Sequence, residues 1–245
     1  MRSTLDLKVG YSCNNNCQFC VQADRRNKFP DKSTGQIMSI LEKRRPGHCD
    51  IVFTGGEVTS RKDFLDLVRG AKQAGYRNIQ IQSNGRMFYY EAFCKQTIDA
   101  GANEFVLALH GSKKEIHDSL TGSKGSFEQT SAGISNLIRS GQRVVVNTVI
   151  NKLNYKDLPD IARLSVSLSV PRFQFAFMHI NRIIKNDSVL IGKIVPRKFL
   201  VVDYVKKGLQ IGIDNDIYVS VEAIPYCLLS GYEKYVAEPQ TPPSS

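Results

Sequence analysis

Residues 50–71 read DIVFTGGEVTSRKDFLDLVRGA, and they carry two periodicities in succession. Ile51, Val52 and Phe53 form a short apolar run rich in branched and aromatic side chains, which reads as a strand. Gly55 and Gly56 break it. Ser60 with Asp63 then resembles a capping box, and Phe64, Leu67, Val68 and Ala71 recur at helical spacing. This strand–turn–helix unit repeats along the chain, with strands expected at residues 5–11, 50–54, 78–82, 104–109, 143–150 and 172–178. Several are nearly continuous apolar runs, as expected for parallel strands covered on both faces. Ser126 with Gln129 repeats the cap before Ile134, Leu137 and Ile138. Asn154 is placed to cap a helix through Leu158 and Ile161, with Pro159 confined to its first turn. After Pro196 a helix is expected to about Gly208, followed by short strands at 210–213 and 217–221. Six strands alternating with helices predict a parallel sheet. Curled, it is a partial (β/α)6 TIM-like barrel; flat, it is doubly wound, and periodicity does not separate the two. Either form gathers ligands where strands end and helices begin.

The chain has 245 residues, 42% of them apolar and 23% charged, which fits one domain with a sizeable core and excludes wholesale disorder. It contains no apolar run of about 18 residues, so no membrane association is expected. The opening MRSTLDLKVGYSC lacks the apolar core of a secretion signal, which leads to a cytoplasmic expectation. The formal net charge is +10, and residues 171–210 hold eight Lys or Arg against two Asp. That excess fits either a solvated basic face or attraction of nucleic acid, acidic peptide or another anion.

Three of six cysteines lie within eight positions, in Cys13-Asn-Asn-Asn-Cys17-Gln-Phe-Cys20, directly after the first expected strand. Soft thiolates suit iron–sulfur clusters or zinc. Three of them leave one iron of a 4Fe–4S cube open to another ligand, whereas structural zinc usually takes four ligands. No second C-x-x-C pair exists, and His48 with Cys49 would complete a zinc site only by coincidence of folding. Cys49, Cys94 and Cys227 make no second motif, so a single cluster is expected.

The spacing C-x-x-x-C-x-x-C, with aromatic Phe19 before the last cysteine, resembles the signature of the radical S-adenosylmethionine (SAM) superfamily. The resemblance implies that Cys13, Cys17 and Cys20 hold one 4Fe–4S cluster, that SAM chelates the fourth iron, and that Phe19 lies beside its adenine. Gly55-Gly56-Glu57 is similar to the family's second hallmark, which binds the amino group of SAM; Val58 stands where many relatives have Pro. As residues, the glycines let the backbone approach a ligand and Glu57 can accept from an ammonium group. Ser83-Asn84-Gly85 is similar to a Ser/Thr-Asn-Gly ending that reaches the ribose or carboxylate of SAM, although Asn-Gly is also an ordinary turn pair. Ala108 stands where many relatives carry a serine. His110 either faces substrate or is structural. Asn147 is placed to contact the ribose, while Ile150 fits the adenine or the core.

The resemblance covers about residues 5–180 and implies the curled form, a partial (β/α)6 barrel with a short C-terminal extension. Residues 1–180 are then the core barrel, 181–236 a helix and short-strand extension packing on it, and 237–245 a flexible tail. His117-Asp118 with Gly125-Ser126-Phe127-Glu128, and Ile224-Pro-Tyr-Cys227, resemble the peptide-modifying members. The implied function is reductive cleavage of SAM to a 5′-deoxyadenosyl radical that modifies a peptide or protein, with a flavodoxin or ferredoxin as reductant. Two alternatives stand beside it. One is a radical SAM enzyme acting on RNA or a nucleotide, with Tyr226, Tyr232 or Tyr235 as base platforms; the other is a non-enzymatic zinc or iron–sulfur interaction module.

Overall fold

The computed structural model describes residues 3–26, 28–43, 48–180 and 187–237. Among these, seven strands form one sheet: β1 (Ser3–Lys8), β2 (His48–Thr54), β3 (Asn78–Ser83), β4 (Glu104–Ala108), β5 (Arg143–Ile150), β6 (Arg172–Phe177) and β7 (Tyr218–Glu222). Every neighbouring pair is parallel, and the spatial order is the order of the sequence. A doubly wound sheet reverses its strand order partway. This one never does, so it is an open partial barrel. The helices are α1 (Thr34–Glu42), α2 (Phe64–Gln73), α3 (Glu91–Ala100), α4 (Lys114–Thr121), α5 (Ser126–Arg139), α6 (Leu158–Ser167), α7 (Ser188–Ile194) and α8 (Lys198–Ile213). No helix among the described residues is long and apolar enough to cross a membrane.

The six expected strands are all present, and β7 joins them as a seventh. The strand expected at 210–213 is instead the last turn of α8. Gly208 does not end that helix. A Cβ there would lie 2.6 Å from the ring of Phe175, and one at Gly212 would lie 2.4 Å from Val219, so both glycines let α8 lie close on the sheet. The branched pair Ile211 and Ile213, which reads as a strand, packs against the core as part of the helix. The division expected at residue 180 borders residues 181–186, and the tail beyond Ala237 likewise lies outside the described residues.

The strands are covered by apolar packing on one face only, which corrects the expectation of two. Ile79, Ile81, Phe105, Leu107, Phe173 and Phe175 are fully buried, whereas the alternating Gln80, Gln82, Glu104, Asn147, Arg172 and Gln174 line a pocket on the inner face.

The expected caps also differ. Ser60 ends a 3-10 turn at Val58–Ser60, and the Asp63 carboxylate pairs with Arg61 at 2.7 Å and accepts from Thr34 at 2.6 Å instead of capping α2. Asn154 makes no cap; its amide donates to the carbonyls of His110 and Val149, both at 3.0 Å, and joins the ends of β4 and β5. Ser126 is the first residue of α5, and the cap comes from Asp118 on α4. Its carboxylate accepts from Gly125 N at 2.7 Å and from Phe127 N and Ser126 Oγ at 2.8 Å. Burial raises the Asp118 pKa, but these hydrogen bonds outweigh it and hold the carboxyl below its usual 3.8. A carboxyl depressed by folding contributes stability that is present above 3.8 and lost as pH falls toward the folded value. Asp118→Ala is therefore expected to cost about 2 kcal/mol at neutral pH in urea denaturation and to flatten the loss of stability below pH 3.8.

Candidate active site

The cysteine segment leaves β1 and crosses the C-terminal ends of the strands, held by side chains from distant parts of the chain. Asp31 accepts from the backbone N–H of Tyr11 at 2.5 Å and of Ser12 at 3.1 Å. Arg86 Nη1 donates to Asn14 O at 2.7 Å, Asn15 Oδ1 at 2.8 Å and Ser123 Oγ at 2.9 Å, while its Nε donates to Gln129 at 2.6 Å. Arg26 reaches Asn15 O at 2.9 Å, and Asn84 Nδ2 reaches Asn14 Oδ1 at 2.6 Å. Arg86, Asp31 and Arg26 were not foreseen. They lie 11–72 residues from the atoms they hold, and no local pattern marks them. Arg86→Met, which keeps the stem but drops these four side-chain hydrogen bonds, should speed loss of bound iron to a chelator roughly tenfold, read by the decay of cluster absorbance.

Gly55 and Gly56 serve this loop directly. Gly55 has φ +140°, and a Cβ there would sit 2.3 Å from Gly10 O; one at Gly56 would sit 2.1 Å from Ser12 O. Gly56 N donates to Gly10 O at 2.9 Å and Glu57 N to Ser12 O at 2.8 Å. What the glycines admit is the backbone that leads into Cys13, while both also line the pocket.

Glu57 is 2% exposed and its carboxylate accepts four hydrogen bonds from the protein. Oε1 accepts from Thr59 N at 3.0 Å, Thr59 Oγ1 at 2.6 Å and Ser83 Oγ at 2.8 Å, and Oε2 accepts from Asn84 N at 2.7 Å. Ser83 Oγ in turn accepts from Gly85 N at 3.0 Å, and Asn84 Oδ1 from Arg86 N at 3.1 Å. Glu57, Ser83 and Asn84 thus join the ends of β2 and β3 to each other and to the cysteine loop.

All ten expected site residues line one pocket of about 560 Å³: Cys13, Cys17, Phe19, Cys20, Gly55, Gly56, Glu57, Ser83, Asn84 and Asn147. Ile150 is core, and none of Tyr226, Tyr232 and Tyr235 lines the pocket. Phe19 is buried edge-on to His110, with ring centroids 4.8 Å apart. His110 Nδ1 accepts from Val149 N at 3.3 Å, which leaves the proton on Nε2. Burial, assisted by the stacked His117, pushes His110 down to about 3, so it is uncharged at neutral pH. Burial, then Cys20 and Cys13, push the Cys17 thiol up to about 12, and burial raises Cys13. The three thiols are near enough that their thiolates would repel one another, a repulsion that an iron-bearing core would reverse. Asn147 Oδ1 is buried in the wall without a partner. Soft donors grouped in one loop, beside an unsatisfied acceptor, fit an iron–sulfur cluster with an organic ligand.

The zinc arrangement does not form. His48 and Cys49 open β2, whereas the cysteine loop follows the opposite ends of the parallel strands, about 20 Å away over six residues. Among the described residues no three His, Cys, Asp or Glu side chains, the cysteine trio included, converge closely enough to hold a single metal ion; a 4Fe–4S cube, which takes one thiolate on each of three irons, asks for a wider trio. Cys94 is buried and donates to Phe88 O at 3.0 Å, while Cys227 is exposed.

The family model of the Radical SAM superfamily matches residues 7–165. The chain belongs to the radical SAM superfamily. Among its radical SAM relatives, an AdoMet-dependent heme synthase of Oleidesulfovibrio alaskensis is 29% identical over 163 residues, 66% of this chain and 42% of that protein. A probable GTP 3′,8-cyclase of Saccharolobus islandicus is 27% identical over 177 residues, 71% of this chain and 56% of that protein. The chain therefore spans about half the length of these curated relatives. Among solved structures, Streptococcus suis SuiB bound to its precursor peptide SuiA superposes with a TM-score of 0.71 at 15% identity, over 94% of this chain and 51% of SuiB. At that identity the likeness establishes the radical SAM fold.

Proposed function

We propose that this radical SAM chain is an enzyme that cleaves SAM reductively at one 4Fe–4S cluster held by Cys13, Cys17 and Cys20, and modifies a peptide or protein. The observation that carries this reading is the opening of three grouped thiols onto the same pocket as the unpartnered Asn147 Oδ1. When bound, a cluster reduced by one electron would pass that electron to the sulfonium of SAM and so break its bond to the 5′ carbon, supplying methionine and a hydrogen-abstracting 5′-deoxyadenosyl radical. The chain's own residues bind, orient and enclose. Arg86, Arg26 and Asp31 fix the loop that presents the thiols. Glu57 and Ser83 act by positioning, so the half-buried main chain of Gly55 and Gly56, which lines the pocket, is what remains to meet the amino group of SAM. Asn147 offers its acceptor to a ribose hydroxyl, and Phe19 with His110 forms an apolar wall beside the adenine that excludes water. His110 presents an N–H rather than a charge.

The peptide class draws support from the SuiB–SuiA likeness and from the inner wall, whose strand-borne charges are Glu104, Arg172 and Glu222. Two carboxylates to one guanidinium disfavour a polyanion. Of the basic residues in 171–210 that are described, Arg172 alone lines the pocket. A flavodoxin or ferredoxin supplies the electron, and thiols rather than disulfides suit a reducing cytoplasm. Residues 1–180 would form the first six strands of the core barrel, and 181–236 an extension that adds β7 to the same sheet. The GTP 3′,8-cyclase relative favours a second reading, an RNA or nucleotide substrate, and binding of an RNA would weaken steeply with salt. The test is anaerobic reconstitution followed by reduction with SAM present. Equal amounts of methionine and 5′-deoxyadenosine are expected, and intact SAM beside a complete cluster would refute the proposal.

A further inference from the structure

Below the cysteine loop the pocket runs down the inner face of the sheet, where two side chains of opposite charge stand without partners. Arg172 opens β6 and Glu222 closes β7, and both line the pocket. Neither side chain makes a hydrogen bond or ion pair with any described residue, and Arg172 Nε is sealed from solvent with its hydrogen unused. The guanidinium lies over the ring of Tyr218, 4.7 Å from its centroid. Stacking of this kind holds the plane and leaves the edge donors to a ligand. Glu104, by contrast, is already engaged, accepting from Asn78 and Gln80 at 2.9 Å each and lying 3.7 Å from Arg143. Between these two charges, Ser220 donates to Gln174 Oε1 at 3.4 Å, which turns the amide hydrogens of Gln174 away from Ser220 and leaves them available.

The register fixes the spacing. Arg172 pairs with Tyr218 and Ala176 with Glu222, which puts the two residues four positions apart along adjacent strands, about 13 Å between their backbone positions at the usual strand rise. A free α-amino acid, with its charges on one carbon, cannot bridge that distance. An extended peptide segment of about four residues can. A planar guanidinium with unused edge donors matches a carboxylate in two parallel hydrogen bonds.

We infer that the inner wall of β6 and β7 is a peptide subsite, in which Arg172 takes an Asp, Glu or C-terminal carboxylate and Glu222 takes a basic group about four residues along. This deepens the peptide reading given above and rests on it. The sulfonium chemistry happens at the mouth, so the modified residue lies at the Glu222 end of the segment, remote from the carboxylate.

The reconstituted protein with SAM is equilibrated with a pool of random synthetic hexapeptides, and the retained peptides are sequenced by mass spectrometry. An acidic residue paired with Lys or Arg three or four positions away should be enriched about tenfold or more. Arg172→Gln should lose the acidic half of this preference and keep the basic half, and Glu222→Gln the reverse. If Arg172→Gln loses both halves, Arg172→Lys decides, because it keeps the charge without the fork. Surviving basic preference there supports the subsite, and loss of both again overturns it. No enrichment with the wild-type protein, preferences unchanged in both variants, or displacement of the peptides by GTP would also overturn it. Release of 5′-deoxyadenosine by the same wild-type preparation reports on the radical SAM reading alone. Its absence sinks that reading, whereas release with unselected peptides sinks only the subsite.

Discussion

Cys17→Ala is expected to yield a folded chain that holds no intact 4Fe–4S cluster and releases no 5′-deoxyadenosine above background. Cys17 is the middle thiol of the loop and packs partly against the core. The loop does not depend on its sulfur for position. Asn16 N donates to Thr121 O at 2.8 Å, and Arg86, Arg26 and Asn84 hold the Asn-rich segment from other directions. The substitution therefore removes a ligand and leaves the scaffold. Stability of the apo chain should change by no more than about 1–2 kcal/mol, the range of a modest truncation at a part-buried site. Iron and sulfide analysis after reconstitution, beside a thermal melt of the apo chain, separates the two effects. Unchanged cluster content would remove Cys17 from the ligand set.

Glu57→Ala acts in the opposite way, on the fold first and on the chemistry through it. The lost carboxylate leaves Thr59 N, Thr59 Oγ1, Ser83 Oγ and Asn84 N without their acceptor in a buried place. Hydrogen bonds to a charged group contribute about 1.5–3 kcal/mol each, and orphaned buried donors cost about as much, though water entering the gap recovers part. A net loss of about 3–5 kcal/mol is expected, a large share of the stability of a domain of this size. Glu57→Gln should cost less, because one oxygen still accepts, but its NH2 then faces at least one donor and cannot accept from it. Urea denaturation of the apo chain measures both. Equal stability of wild type and alanine variant would mean that the carboxylate is not the joint between β2 and β3.

Much of this was legible in the sequence, and the reason lies in the range over which each signal acts. The strands announced themselves because branched and aromatic runs alternate with amphipathic helices over a few residues. The cysteine motif is local in the same sense. Asn78-Ile-Gln-Ile-Gln-Ser83 and Arg172-Phe-Gln-Phe175 also spell out a polar inner face, since side chains alternate across a strand. Reading these runs as covered on both sides passed over the glutamines that line the pocket. Long-range partners left no trace. Glu57 reads as a free carboxylate beside a turn until Ser83 and Asn84, 26 and 27 residues later, are seen to donate to it. Gly208 reads as a helix stop until the ring of Phe175 is found beneath it.

The central claim is that SAM docks on the iron left without a cysteine, in the pocket between the cysteine loop and Asn147. Electron–nuclear double resonance on the reduced, reconstituted protein tests it directly, with SAM labelled at its amino nitrogen and carboxylate oxygen. Hyperfine coupling from both labels to the cluster is expected. A complete cluster that shows coupling to neither, at saturating SAM, would contradict it.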